Sequence, residues 1–156
     1  MYRAVVTGGT RGIGFAITER LLKDGLDVIT TGTKKDAKYP VGASYYPVDF
    51  LSDDSVITFV EFLKQQQVDI LINNAGINKI GEFESINMKD FDRILQVNLR
   101  APFQLCQAVI PNMKANNWGR IVNLTSIFGN VSKEYRALYS SSKFGLDGMT
   151  AALSAE

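Results

Sequence analysis

An α/β fold, a parallel sheet doubly wound by helices on both faces, is predicted by three observations. Short apolar runs of strand length alternate with longer helical patterns, and turn residues separate them. The runs are apolar almost throughout rather than at every second position, as strands buried on both faces should be. The connections have the lengths that place successive strands in one parallel sheet, whose ligands bind at the carboxyl ends of the strands.

Taken in order, "AVVTGG" (Ala4 to Gly9) reads as a buried strand. "GIGFAITERLLKDG" follows as a helix with Ile13, Ala16, Ile17 and Leu21 on one face and Gly25 as its stop. "DVITTG" (Asp27 to Gly32) is the second strand, and "ASYYPVDF" contains the third. Ser52 then caps a helix whose first turn holds Asp53 and Asp54, favourable charges at a helix N-terminus. Its apolar positions include Val56, Phe59, Val60 and Leu63. "VDILINNAG" (Val68 to Gly76) is the clearest strand, and a long helical pattern runs from about Met88 to Lys114, with Pro111 near its end. "GRIVNLTS" (Gly119 to Ser126) is the fifth strand, and a last helix starts at about Tyr139.

Composition narrows the function. At 156 residues the chain fits one domain, 1–156, with a real core. Its 17 basic and 16 acidic residues are interspersed, so no electrostatic footprint points to nucleic acid or an anionic membrane. Small molecules and other protein chains are the expected partners. One cysteine, Cys106, excludes an internal disulfide framework, and "MYRAVVTGG" enters a strand with no signal-like apolar region. No apolar run approaches a membrane span, and a cytoplasmic location is expected. The absence of histidine removes Ser-His-Asp and Cys-His triads and most zinc sites, and no metal is expected. Acid-base chemistry must use tyrosine, lysine or carboxylates.

The turn after the first strand, "TGGTRGIG", sets Gly8, Gly12 and Gly14 in a GxxxGxG spacing. A tight turn, close backbone approach and a helix N-terminus suit a pyrophosphate. The same glycines would also serve a turn with no ligand. No Gly-Lys-Ser/Thr follows, so this is not a Walker loop. At the end of the second strand, where an acidic residue would hold a ribose 2′-hydroxyl, the chain has Thr31, Gly32, Thr33, Lys34 and Lys35. With Arg11, these residues could grip a 2′-phosphate, which favours NADP over NAD. The lysines also fit solvated loop charges, and Asp36 keeps NAD open.

Five motifs stand in a set order: "TGGTRGIG", "NNAG" (Asn73 to Gly76), Asn98 in the long helix, "NLTS" and "YSSSK" (Tyr139 to Lys143). In this the chain resembles the short-chain dehydrogenase/reductase family, and within it members similar to 3-oxoacyl-carrier-protein reductase. The resemblance implies a Rossmann-type doubly wound sheet and an NADP(H)-dependent interconversion of a carbonyl and an alcohol. It implies Tyr139 as general acid or base, Lys143 as its tuning partner, Ser126 as the group polarising the carbonyl oxygen, and Asn98 as holder of a relay water. Asn73, Ala75 and Gly76 would line the cofactor site, and Asp49 would meet the adenine. Gly8, Thr10, Arg11, Gly12, Ile13, Gly14, Thr33 and Lys34, with Tyr139 and Lys143, complete the implied cofactor contacts.

Elementary chemistry agrees with that assignment. Residues four apart share a helix face, so Lys143 lies on the side of Tyr139. A free phenol titrates near pH 10, and a nearby cation stabilises its phenolate. Ser126 would sit where alkoxide charge develops.

Two departures from the family pattern are expected to matter. The chain ends at about the close of the tyrosine-bearing helix, so the fold is expected to be C-terminally truncated, without the last strands and substrate lid, leaving the fifth strand as an open edge. The connection between the second and third strands leaves little room for a helix. A catalytically poor nucleotide-binding or interaction module is therefore the alternative to an enzyme, and the family also suggests homodimers or homotetramers through the two long helices.

Overall fold

A computed structural model describes residues 1–156. Its elements are β1 (Arg3–Val6), α1 (Gly12–Lys23), β2 (Asp27–Gly32), β3 (Ser44–Pro47), α2 (Asp53–Gln65), β4 (Ile70–Asn73), α3 (Met88–Leu95), α4 (Ala101–Ala115), β5 (Arg120–Asn123) and α5 (Ala137–Ser154). One five-stranded sheet has the order β3-β2-β1-β4-β5, parallel at every pairing. The winding reverses between β1 and β4, and a crevice opens there at the carboxyl ends of the strands.

Alternation along β1 divides the core. Val5 points into the larger cluster with Ile29, Phe59, Leu63, Leu71, Leu105 and Val109. Ala4 and Val6 point the other way, with Val28 and Ile72, where Ile17 and Leu21 of α1 cover them. Truncating a fully buried leucine such as Leu71 or Leu105 to alanine would cost about 2–5 kcal/mol. No helix is long and apolar enough to cross a membrane.

Three features depart from the sequence reading. The helix expected to run unbroken from Met88 to Lys114 is interrupted by a π-helical segment, Gln96–Arg100, between α3 and α4. β4 stops at Asn73 instead of Gly76, because the amides of Asn74 and Ala75 leave the ladder and both donate to Thr7 Oγ1 at 3.0 Å. Short 3-10 turns at Phe83–Ser85 and Ile127–Gly129 had no sequence signal. Between β2 and β3 there is no helix, as the short connection leads one to expect. There the Tyr45 hydroxyl donates to the Lys34 carbonyl, and the Tyr39 and Tyr45 rings stack with centres 4.7 Å apart. β5 pairs only with β4, and Val122 on it stands 46% exposed.

Candidate active site

Buried threonines fix the glycine-rich turn from beneath. Thr31 Oγ1 accepts from the Gly8 amide at 3.1 Å, and Thr18 Oγ1 donates to the Gly14 carbonyl at 2.8 Å. Asn74 closes the other side, its Nδ2 donating to the Thr7 and Gly8 carbonyls at 2.8 and 3.2 Å. Gly8 adopts φ +70°, where a side chain is strained. At Gly14 a Cβ would lie 2.4 Å from both Asn74 Nδ2 and the Gly8 carbonyl oxygen, so α1 can approach the turn this closely only without one. Arg11 occupies the N-cap of α1 without a capping hydrogen bond, and no acidic residue sits in the first turn. The first amides of α1 are thus left without intrahelical or capping partners, a ready site for an anion.

A cavity of about 750 Å³ opens above this turn. The turn contributes Gly8, Thr10, Arg11, Gly12, Ile13 and Gly14 to its wall, and the end of β2 contributes Thr33 and Lys34. Asp49, Ala75 and Gly76 complete the sequence-predicted residues found there. Asp49 Oδ1 accepts from the Leu51 amide at 3.0 Å, which holds the loop after β3. Asn73 does not line the cavity. It is in register with Asn123, and its Nδ2 donates to Asn123 Oδ1 at 2.8 Å and to Cys106 Sγ at 3.5 Å, so its side chain joins β4 to β5. Asn74 takes the place on the wall, and Lys38 and Val97 join it; the sequence reading singled out none of these three. Burial pushes the Cys106 thiol up to about 11, against the opposing hydrogen bond from Asn73.

The glycine-floored cavity, with its size and its uncapped helix end, suits a dinucleotide. Its charged lining is Arg11, Lys34 and Lys38 against the single carboxylate of Asp49. A shallower hollow of about 800 Å³ along α4, β5 and α5 holds none of the candidate residues.

A second cluster adjoins the cavity at Gly76. Asn98, in the π-helical segment, is 1% exposed. Its Oδ1 accepts from the Ile77 amide at 2.9 Å, while Nδ2 donates to the Ile77 carbonyl at 2.9 Å and to Ser142 Oγ at 3.0 Å. Both amide donors are therefore in use, and the side chain has only an Oδ1 lone pair left for the expected relay water. Lys143 is 4% exposed, and its Nζ donates to the Leu124 carbonyl at 2.7 Å and lies 5.6 Å from the Tyr139 ring centre. Burial pushes Lys143 below the ordinary lysine range, partly offset by Asp147.

Neither Tyr139 nor Lys143 lines the cavity wall, although both were expected among the cofactor contacts. Gly76 bridges the two clusters: it lines the cavity, and a Cβ there would come within 3.4 Å of Asn98 Oδ1 and 3.9 Å of Lys143 Nζ. Ser126 Oγ accepts from the Phe128 amide at 3.2 Å, starting the short turn whose Phe128 ring meets Tyr139 edge-on at 6.3 Å.

Residues 2–156 match the short chain dehydrogenase family model. The chain is 36% identical to the 3-oxoacyl-[acyl-carrier-protein] reductase of Aquifex aeolicus, an alignment covering 98% of this chain and 66% of that protein. It is also 36% identical to the acetoacetyl-CoA reductase of Cupriavidus necator, over 98% of this chain and 67% of the relative. A metagenomic short-chain oxidoreductase solved in complex with NADP superposes with a TM-score of 0.87 at 29% identity, over 97% of this chain and 73% of that one. The chain thus spans about two thirds of the length of the curated relatives it matches.

Proposed function

The chain belongs to the short chain dehydrogenase family, and on that premise we propose that it serves an NADP(H)-dependent oxidoreductase interconverting a carbonyl and an alcohol. One observation carries the reading: the phosphate-suited cavity and the buried lysine cluster meet at Gly76, a residue that leaves no side chain between them. A relative's complex with NADP and the three cations of the cavity support the choice of cofactor.

In this reading Gly12, Ile13 and Gly14 at the open end of α1 hold the pyrophosphate, and Asp49 faces the adenosine half. Bound there, the reduced nicotinamide supplies the hydride. Tyr139 gives its hydroxyl proton to the carbonyl oxygen as negative charge grows on it, and Ser126 donates a hydrogen bond to the same oxygen. The Lys143 ammonium, held by the Leu124 carbonyl, stabilises the charge left on the Tyr139 oxygen. Asn98 keeps the Ile77 backbone and Ser142 in place behind that lysine. Because two relatives are named for reduction of 3-oxoacyl thioesters, a 3-oxoacyl thioester is the first substrate class to assay.

The test is Tyr139→Phe, assayed with NADPH and acetoacetyl-CoA beside the unaltered protein. Turnover is expected to fall by at least about 100-fold, the ordinary size of a general acid's contribution. The dissociation constant for NADPH should stay within about threefold of its original value. Turnover equal to that of the unaltered protein would sink the assignment, and NADPH binding without any carbonyl turnover in the unaltered protein would favour the module reading.

A further inference from the structure

We propose that Lys38, rather than Lys35, is the second lysine that reads the 2′-phosphate of the cofactor, and that Tyr45 positions it by pinning the β2–β3 connection. The proposal rests on the NADP(H) reading above and specifies which residues enforce it.

The chain after β2 carries Lys34, Lys35 and Lys38, and sequence order alone puts Lys35 nearest the strand after Lys34. The fold selects differently. The Ala37 amide donates to the Lys34 carbonyl at 3.3 Å, closing a tight turn with Lys35 and Asp36 at its tip. Lys34, Ala37 and Lys38 line the cavity, whereas Lys35 and Asp36 do not. Asp36, the carboxylate that would favour a free ribose 2′-hydroxyl, is absent from the wall along with Lys35.

Tyr45 holds this arrangement. Its hydroxyl donates to the same Lys34 carbonyl, so that one oxygen is fixed from within the turn and from β3. The Tyr45 oxygen also sits at the end of β2, 2.9 Å from where a Cβ of Gly32 would be, and Gly32 lines the cavity. Tyr39, the neighbour of Lys38, stacks on the Tyr45 ring at an interplanar angle of 8°. Two aromatic rings thus do what a crossover helix would otherwise do for this connection, and they fix the residue on either side of the turn. Arg11, Lys34 and Lys38 form no ion pair within the chain, which leaves their charges available to a dianionic phosphate.

Calorimetric binding of 2′,5′-ADP and 5′-AMP, which differ by the 2′-phosphate alone, separates the possibilities. At low salt Lys38→Ala should weaken 2′,5′-ADP by about tenfold and leave 5′-AMP unchanged. Lys35→Ala, the same change of charge, should alter neither. Tyr45→Phe, which removes no charge, should lower the preference for 2′,5′-ADP by roughly threefold or more with 5′-AMP unaffected. The inference is overturned if Lys38→Ala behaves as the unaltered protein, or if Lys35→Ala loses as much. Equal weakening of both nucleotides in Tyr45→Phe would reduce Tyr45 to general support and overturn its positioning role. If the unaltered protein binds both nucleotides equally, the NADP(H) reading itself fails, and this inference with it.

Discussion

The N-termini of α1 and α2 are the same kind of structure finished in opposite ways. At α2, Ser52 Oγ accepts from the Ser55 amide at 3.3 Å, and Asp53 and Asp54 put negative charge in the first turn. The α2 end is capped by its own sequence, which stabilises the helix. At α1 the N-cap is Arg11, which forms no cap, and the first turn holds no acid. Its end keeps its unpaired amides and its positive dipole, and it faces a cavity. The difference teaches that an unfinished helix end is informative when the rest of the chain shows that finishing one was within reach.

Three changes would break or sharpen that contrast. The largest effect is expected of Gly14→Ala, whose Cβ has a backbone oxygen and an amide nitrogen at 2.4 Å. A backbone atom cannot swing aside, so α1 must shift, with a stability loss of about 1–3 kcal/mol in denaturant unfolding. Fluorescence titration should show NADPH affinity reduced by more than about 100-fold; normal affinity would mean that α1 is not the phosphate end. Next comes Arg11→Asp, which gives α1 the cap that α2 already has. The extended backbone of Arg11 (φ −163°, ψ 166°) suits a capping aspartate, so stability should rise by about 0.5–1 kcal/mol. NADPH affinity should fall by about tenfold or more, since a cation is lost and an anion occupies the helix end. Affinity that survives this change would remove the functional meaning of the open end. The smallest effect belongs to Ser52→Ala, with a stability loss of about 1 kcal/mol and NADPH affinity unchanged within about twofold. A parallel drop in affinity would show that the two ends are not independent.

Much of this contrast is legible in the residues themselves. Ser52, Asp53 and Asp54 announce α2, and the GxxxGxG spacing after an apolar strand marks the turn, because both signals lie in adjacent residues with local physical demands. What escapes the sequence is set across the sheet or around a helix. Asn73 and Asn74 are indistinguishable on paper, yet the register of β4 with β5 sends the first into the sheet and leaves the second to hold the turn. Lys35 and Lys38 differ only by a tight turn whose anchor, Tyr45, comes from another strand. The π-helical segment leaves no trace in the apolar pattern, since Ile94 and Ala101 are buried on either side of it as they would be in an uninterrupted helix.

That π segment joins α3 and α4 through one widened turn. A π turn accommodates an extra residue, and each residue of an α-helix turns the chain by about 100°. Because the wider turn absorbs that residue, removing one from Gln96–Arg100 would let α3 and α4 fuse into a straight rod with their faces still in phase. Asn98 would then no longer meet Ile77 and Ser142 while Leu105 and Val109 kept their places in the core. A single residue lost here should therefore dismantle the support behind Lys143 without opening the hydrophobic interior, whereas the same loss within α3 or α4 would turn buried residues outward.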